Sequence, residues 1–101
     1  MQKYKILKTE SLNKKKESDI MYLHIGKDKI INKNDLIGIF DIESIKETEE
    51  YSKIIEKLKL ENSLINLSNK TEKSLIITKE NKKTKGYISN IYSMTLLKRV
   101  Q

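Results

Sequence analysis

One stretch limits what this chain can become more than any other. Tyr51, Ile54, Ile55 and Leu58 recur at i, i+3, i+4 and i+7, and Lys53, Glu56, Lys57 and Lys59 fall between them. That spacing gathers the apolar side chains on one side of an α-helix and the charges on the other. The pattern then changes on both flanks to short runs rich in branched apolar residues, which suit strands. Upstream these are Tyr22–Ile25, Lys29–Ile31 and Leu36–Asp41; downstream they are Leu64–Leu67, Ser74–Thr78 and Tyr87–Tyr92. Strands before and after a single strong helix predict an α+β domain, a small and mostly antiparallel sheet with helices on one side.

Local signals set the expected boundaries. Ser44-Ile45-Lys46-Glu47 has the form of a capping box, and Glu49 and Glu50 follow where a helix N-terminus favours acids, so the main helix is expected over about 44–61. Asn62-Ser63 ends it. Gly26-Lys27-Asp28 and Asn32–Asp35 read as turns, and Glu80–Gly86 reads as a charged hairpin loop. Ser93 is placed to cap a short closing helix over about 93–100, with Leu96 and Leu97 inward and Lys98 and Arg99 outward.

A chain of 101 residues holds one domain, expected over residues 21–101. A domain of that size buries only roughly 60–70% of its unfolded surface, so self-association is a natural way to bury more. Residues 1–20 have no sustained period and carry six lysines against Glu10, Glu17 and Asp19. They lack the apolar stretch of roughly 7–15 residues that a secretory signal needs. Two readings of them stay open. One is a disordered basic tail that touches nucleic acid. The other is a translated leader ahead of a true start at Met21, because a purine-rich ribosome-binding sequence reads out as Lys, Glu and Ser codons.

Catalysis finds little material here. There is no cysteine, hence no thiolate nucleophile, thiolate metal site or disulfide framework. His24 is the single histidine and lies in a predicted strand, where it reads as structural. Gly26, Gly38 and Gly86 are scattered and form no phosphate-cradling loop. Asp41 and Glu43 are better explained as partners of a helix start than as a catalytic carboxylate pair. A non-enzyme is expected, with no cofactor, no metal and no evident small-molecule substrate. No apolar run approaches the roughly 18 residues that span a bilayer, and a cytoplasmic protein without a membrane partner is expected.

The formal charge is +7, unevenly spread. Asp41–Glu61 is acidic or balanced. After it, Lys70, Lys73, Lys79, Lys82, Lys83, Lys85, Lys98 and Arg99 face only Glu72 and Glu80. Such asymmetry gives one surface a positive field that attracts phosphate, although a basic run can also be no more than a solvated face.

Several motifs in fixed order resemble a known family. They are Tyr22-Leu23-His24-Ile25-Gly26, Leu36-Ile37-Gly38-Ile39-Phe40-Asp41, the single helix, Lys73-Ser74-Leu75-Ile76-Ile77-Thr78, and Ile91 to Arg99 with its Ser-x-x-Thr-Leu-x-x-Arg form. Together they resemble the extracellular matrix regulatory proteins RemA and RemB, more closely the B type, over about Met21 to Arg99. The resemblance implies an oligomeric DNA-binding transcription regulator of matrix or biofilm genes, assembled as a closed homo-oligomer. A-type members place basic residues in the turn between helix and hairpin, where this chain has Lys70 and Lys73 but also Thr71 and Glu72. They tend to carry another just before the third strand, where Lys33 is the nearest. With the Lys82-Lys83-Lys85 run, the expected DNA-binding set is Lys33, Lys70, Lys73, Lys82, Lys83 and Lys85. Lysine lacks the planar fork that reads guanine, so backbone and shape are expected to dominate over base reading. The alternative is a non-catalytic structural or interaction protein that pairs its sheet edges between subunits and binds no DNA.

Overall fold

The computed structural model describes residues 21–101. Both expectations for the preceding residues, a basic tail or a leader, lie outside the described residues. Strand β1 (Tyr22–Gly26) pairs with β2 (Lys29–Asn32) in an antiparallel hairpin, and one turn of 3-10 helix (Lys33–Asp35) leads to β3 (Leu36–Asp41). Helices α1 (Ile42–Ile45) and α2 (Glu49–Leu60) follow, then β4 (Leu64–Asn66), β5 (Ser74–Glu80), β6 (Lys83–Ser89) and α3 (Ser93–Val100). The class is α+β with a main helix and a short C-terminal one. The strands divide into the β1–β2 ribbon and a four-stranded sheet of order β3-β5-β6-β4, in which only β4 runs parallel to its neighbour.

The helices do not share one side of the sheet. Successive residues of β5 and β6 point to opposite faces, as strand geometry requires. Ile76 and Tyr87 face a cluster built with the β1–β2 ribbon and α3, which includes Leu23, Ile25, Leu36, Leu96 and Val100. Leu75 and Ile88 face the other way, toward Ile42 and the half-buried Tyr51 and Ile55 of α2. The ribbon is itself two-layered in character, burying Leu23, Ile25 and Ile31 while exposing Tyr22, His24 and Ile30. It therefore acts as a lid on one face, and α2 sits on the opposite one.

Three boundaries move for identifiable reasons. The main helix starts at Glu49, because Thr48 and not Ser44 supplies the cap: its Oγ1 accepts the Tyr51 amide at 3.1 Å. Ser44 instead donates to the Asp41 carboxylate at 2.7 Å, holding the short α1 turn. Asn62, at φ 55°, ends α2, with its own amide donating to the Lys59 carbonyl at 3.1 Å and the Ser63 amide donating to the Leu58 carbonyl at 2.8 Å. The stretch Glu80–Gly86 is mostly strand. Pairing continues through Lys79↔Thr84 and Glu80↔Lys83, leaving a two-residue turn of Asn81 and Lys82 at φ 52° and 69°. Positive φ at both positions is what a tight hairpin turn matching strand twist needs. β6 then stops at Ser89 rather than Tyr92. Ser89 Oγ accepts the Ile91 amide at 3.0 Å, and this turns the chain toward α3.

Ser93 is not the cap of α3. Tyr92 holds that position without a side-chain hydrogen bond, and the Ser93 hydroxyl lies 2.8 Å from the hydroxyl of buried Ser74 and donates to the Phe40 carbonyl at 3.3 Å. Ser74 also donates to the Ile91 carbonyl at 2.6 Å. Hydroxyls thus tie β3, β5 and the start of α3 together at one end of the sheet, where the backbone leaves its regular ladder.

Candidate nucleic-acid interface

β5 and β6 set the axis along which the six candidate lysines are distributed. Lys70 and Lys73 belong to the loop before β5, at the end of the sheet closed by the serines. Lys82 and Lys83 lie at the hairpin tip, one β5 length away. Seven residues at about 3.4 Å each separate the two groups by on the order of 20 Å. Lys33 lies at the tip end, because β3 runs antiparallel to β5 and begins opposite Thr78. The six are not one patch. They form two groups at opposite ends of one subunit.

Their commitments differ as well. Lys33 donates to the Val100 carbonyl at 3.4 Å, placing its ammonium at the C-terminus of α3, where the helix dipole favours a cation. Lys85 pairs with Glu80 at 3.4 Å. Lys73 is half-buried and lies 4.7 Å from the centre of the Tyr92 ring. Lys70, Lys82 and Lys83 are exposed and make no ion pair or ring contact among the described residues. Near Lys70, Glu72 accepts from Asn66 Nδ2 at 3.4 Å. Burial raises the Tyr51 hydroxyl pKa above its ordinary value, and the Glu72 charge adds to the effect.

Glu80 is the residue that sequence reasoning passed over. Its side chain is only 19% exposed, and one carboxylate oxygen accepts from both Thr78 and Tyr87 at 2.7 Å. Burial alone would raise its pKa. The hydrogen bonds from Tyr87, Thr78 and Lys85, together with the Lys85 charge, outweigh that and hold it below the ordinary value. Tyr87 responds in the opposite direction: burial first, then the Glu80 carboxylate, hold its hydroxyl well above the usual range. Lys29 lies over the ring, 5.3 Å from its centre. The signal available in the sequence was the alternation of Thr78 and Glu80 on β5 with Lys85 and Tyr87 on β6, which share one face with Lys85 opposite Thr78 and are legible only once the two strands are in register.

The histidine also has a structural place. His24 Nε2 donates to the Lys27 carbonyl, which fixes the tautomer and leaves Nδ1 as an acceptor 3.5 Å from Arg99 Nη1. The same guanidinium donates to the His24 carbonyl at 3.0 Å, tying α3 to the ribbon. No cluster of three or more His, Asp or Glu side chains that could hold a metal occurs among the described residues. No helix among them is long and apolar enough to cross a membrane.

The fold is a ribbon-lidded α+β domain that presents exposed lysines at both ends of its central hairpin. Comparison with known proteins agrees with the motifs. The chain belongs to the RemA-like family, described as extracellular matrix regulatory protein A-like, and matches it over residues 22–100. It is 34% identical over 83 residues to Extracellular matrix regulatory protein B of Bacillus subtilis (strain 168), an alignment covering 80% of this chain and 91% of that protein.

Proposed function

We propose that this protein is an oligomeric DNA-binding regulator of extracellular-matrix genes, acting in the cytoplasm and holding duplex mainly through its backbone and shape. Membership of the RemA-like family and the likeness to Extracellular matrix regulatory protein B support a regulatory role. The observation that carries the DNA reading is the placement of the uncommitted cations: Lys70 projects from the loop before β5, and Lys82 and Lys83 from the hairpin tip, free of ion pairs among the described residues. Turns carry charge to a phosphate backbone without disturbing the sheet beneath. Assembly supplies the rest. Strands β3 and β4 form the two edges of the sheet, and neither has a further strand neighbour among the described residues. Such edges can pair between copies, and pairing of two different edges generates a ring when the rotation closes. A ring repeats each lysine at fixed spacing, so weak phosphate contacts combine by avidity.

A second reading, an oligomeric interaction protein without DNA binding, draws support from Lys33, Lys73 and Lys85, which are engaged within the subunit. Retention of duplex DNA over a salt series separates the two. Phosphate contacts make log affinity fall linearly with log salt. The expected result is a multimer well above dimer mass by sedimentation, with salt-dependent retention that Lys70→Glu/Lys82→Glu/Lys83→Glu abolishes without changing mass or helix content. Retention by the triple variant equal to the parent's at every salt concentration leaves these lysines a solvated face and favours the second reading.

A further inference from the structure

The face of the sheet that carries α2 is only half covered. Four strands about 4.8 Å apart present a surface wider than one helix of roughly 10 Å diameter. α2 lies over the β4–β6 side, where Leu58 packs on Gly86. The β5–β3 side is left as an open groove of about 710 Å³, between Ile54 of α2 and Ile37, Phe40 and Ile77 of the sheet. Ile37 and Ile54 are 42% and 38% exposed, an unusual position for isoleucines facing each other across a channel. The rim is cationic: among the described residues Lys57, Lys82 and Lys83 border the groove, against Glu61 alone.

We infer that this groove docks an acidic amphipathic helix of a partner protein, its apolar side chains between Ile37 and Ile54 and its carboxylates toward Lys57, Lys82 and Lys83. Charge complementarity selects the partner's sign, and the apolar floor selects its kind. Duplex DNA would satisfy the lysines but leave the isoleucines facing a polyanion. A second copy of this chain fits poorly. The apolar stripe of α2 already serves its own sheet through Tyr51, Ile55 and Leu58, and the exposed Leu60 of α2 and Met94 of α3 are accompanied by Lys59 and by Lys98 and Arg99, which the rim repels. Recognition of this type lays one helix face into a groove and reads it at helical spacing. The inference goes beyond the DNA reading, with which it shares Lys82, Lys83 and the edge strand β3; Ile54 and Lys57, which that reading does not use, keep the two tests apart.

The test uses the full chain and a fluorescein-labelled peptide of about 15 residues, with leucines at i, i+3, i+4 and i+7 and glutamates elsewhere, followed by anisotropy. A matched peptide carrying lysine for every glutamate is the control. The acidic peptide is expected to bind and the basic one not. Ile37→Asp should abolish binding, Ile54→Gln should weaken it, and Lys57→Glu should weaken it by roughly tenfold. All three positions are exposed, and circular dichroism with sedimentation verifies fold and mass in each variant. Absence of acidic-peptide binding, equal binding of the basic peptide, or full binding by both Ile37→Asp and Ile54→Gln overturns the inference. A change of oligomer mass in Ile54→Gln, which lies on α2 away from the β3 edge, would assign the groove to subunit contact. A loss of DNA retention in Lys57→Glu and Ile37→Asp alike would assign it to nucleic acid. Either result also overturns the inference.

Discussion

The two faces of the central sheet differ in how completely they are filled. On one, the β1–β2 ribbon and α3 enclose ten buried apolar residues, Ile76 and Tyr87 among them. On the other, α2 and α1 bring together three buried residues, Ile42, Leu75 and Ile88, with a margin of half-buried side chains. The same strands serve both faces, so the contrast arises from what covers them. The ribbon and α3 span the first face, whereas the short α1 and α2 leave part of the four strands uncovered on the second. A small domain of this design concentrates its stability on one face and leaves the other available for contacts.

Matched deletions on the two faces give the largest expected contrast. Leu96→Ala removes a fully buried side chain from the closed face and should cost roughly 3 kcal/mol in urea unfolding. Ile77→Ala removes a half-buried one from the open face and should cost about half as much, since the site can collapse toward solvent. Equal losses would mean that the open face is as tightly determined as the closed one, and the comparison would break.

The closed face also contains the half-buried carboxylate of Glu80, and this gives it a pH signature. Glu80 is less than one-third exposed, so its charged hydrogen bonds are only weakly screened, and Glu80→Ala should cost about 2 kcal/mol. Its folded pKa lies below the ordinary 4.5, so its contribution is complete above that value and is lost as pH falls through the folded pKa. Tyr87 is held above its ordinary 10.0, so its contribution is complete below pH 10.0 and erodes as pH rises past it. Glu80→Gln should flatten the acid limb of a plot of stability against pH and soften the alkaline one. An unchanged acid limb would place the acid sensitivity elsewhere in the chain.

How far the sequence could be read follows the same division. The stripe Tyr51–Leu58 marked α2 correctly because a helix of period 3.6 needs no partner to be recognised. It did not reveal that Ile54 stays 38% exposed, since that depends on where the helix lands across the sheet. The motifs Tyr22–Gly26 and Leu36–Asp41 gave family and strands together. The second layer was not legible: helices on both faces require knowing that β1–β2 leaves the main sheet, and short ribbons carry no mark of the sheet they join. Glu80–Gly86 read as a loop because its charges hide an alternation that only cross-strand pairing makes meaningful. Among the lysines, sequence reasoning located the charge. It could not locate the partners of Lys33 and Lys85, which lie on Val100 of α3 and on Glu80 across the hairpin turn.

The two glycines that touch opposite faces give the smallest and most discriminating contrast. Gly26 lies in the ribbon turn at φ 144°, and a Cβ there would meet Ser89 Oγ at 3.2 Å and Leu67 Cβ at 3.4 Å. Backbone strain and a firm neighbour act together, so Gly26→Ala should cost about 2 kcal/mol. At Gly86 a Cβ would come within 3.0 Å of Leu58 Cδ1, the far end of a flexible side chain beside the open groove. That leucine has space to move into, so Gly86→Ala should cost only about 1 kcal/mol. The cause can be isolated with a double-mutant cycle. In a Leu58→Ala background the Gly86→Ala penalty should fall to about zero, whereas the Gly26→Ala penalty should persist there, because it depends on backbone and on the other face. A Gly86→Ala penalty that survives removal of Leu58 would show that strand β6 itself resists the added methyl and that the open face yields less than its groove implies.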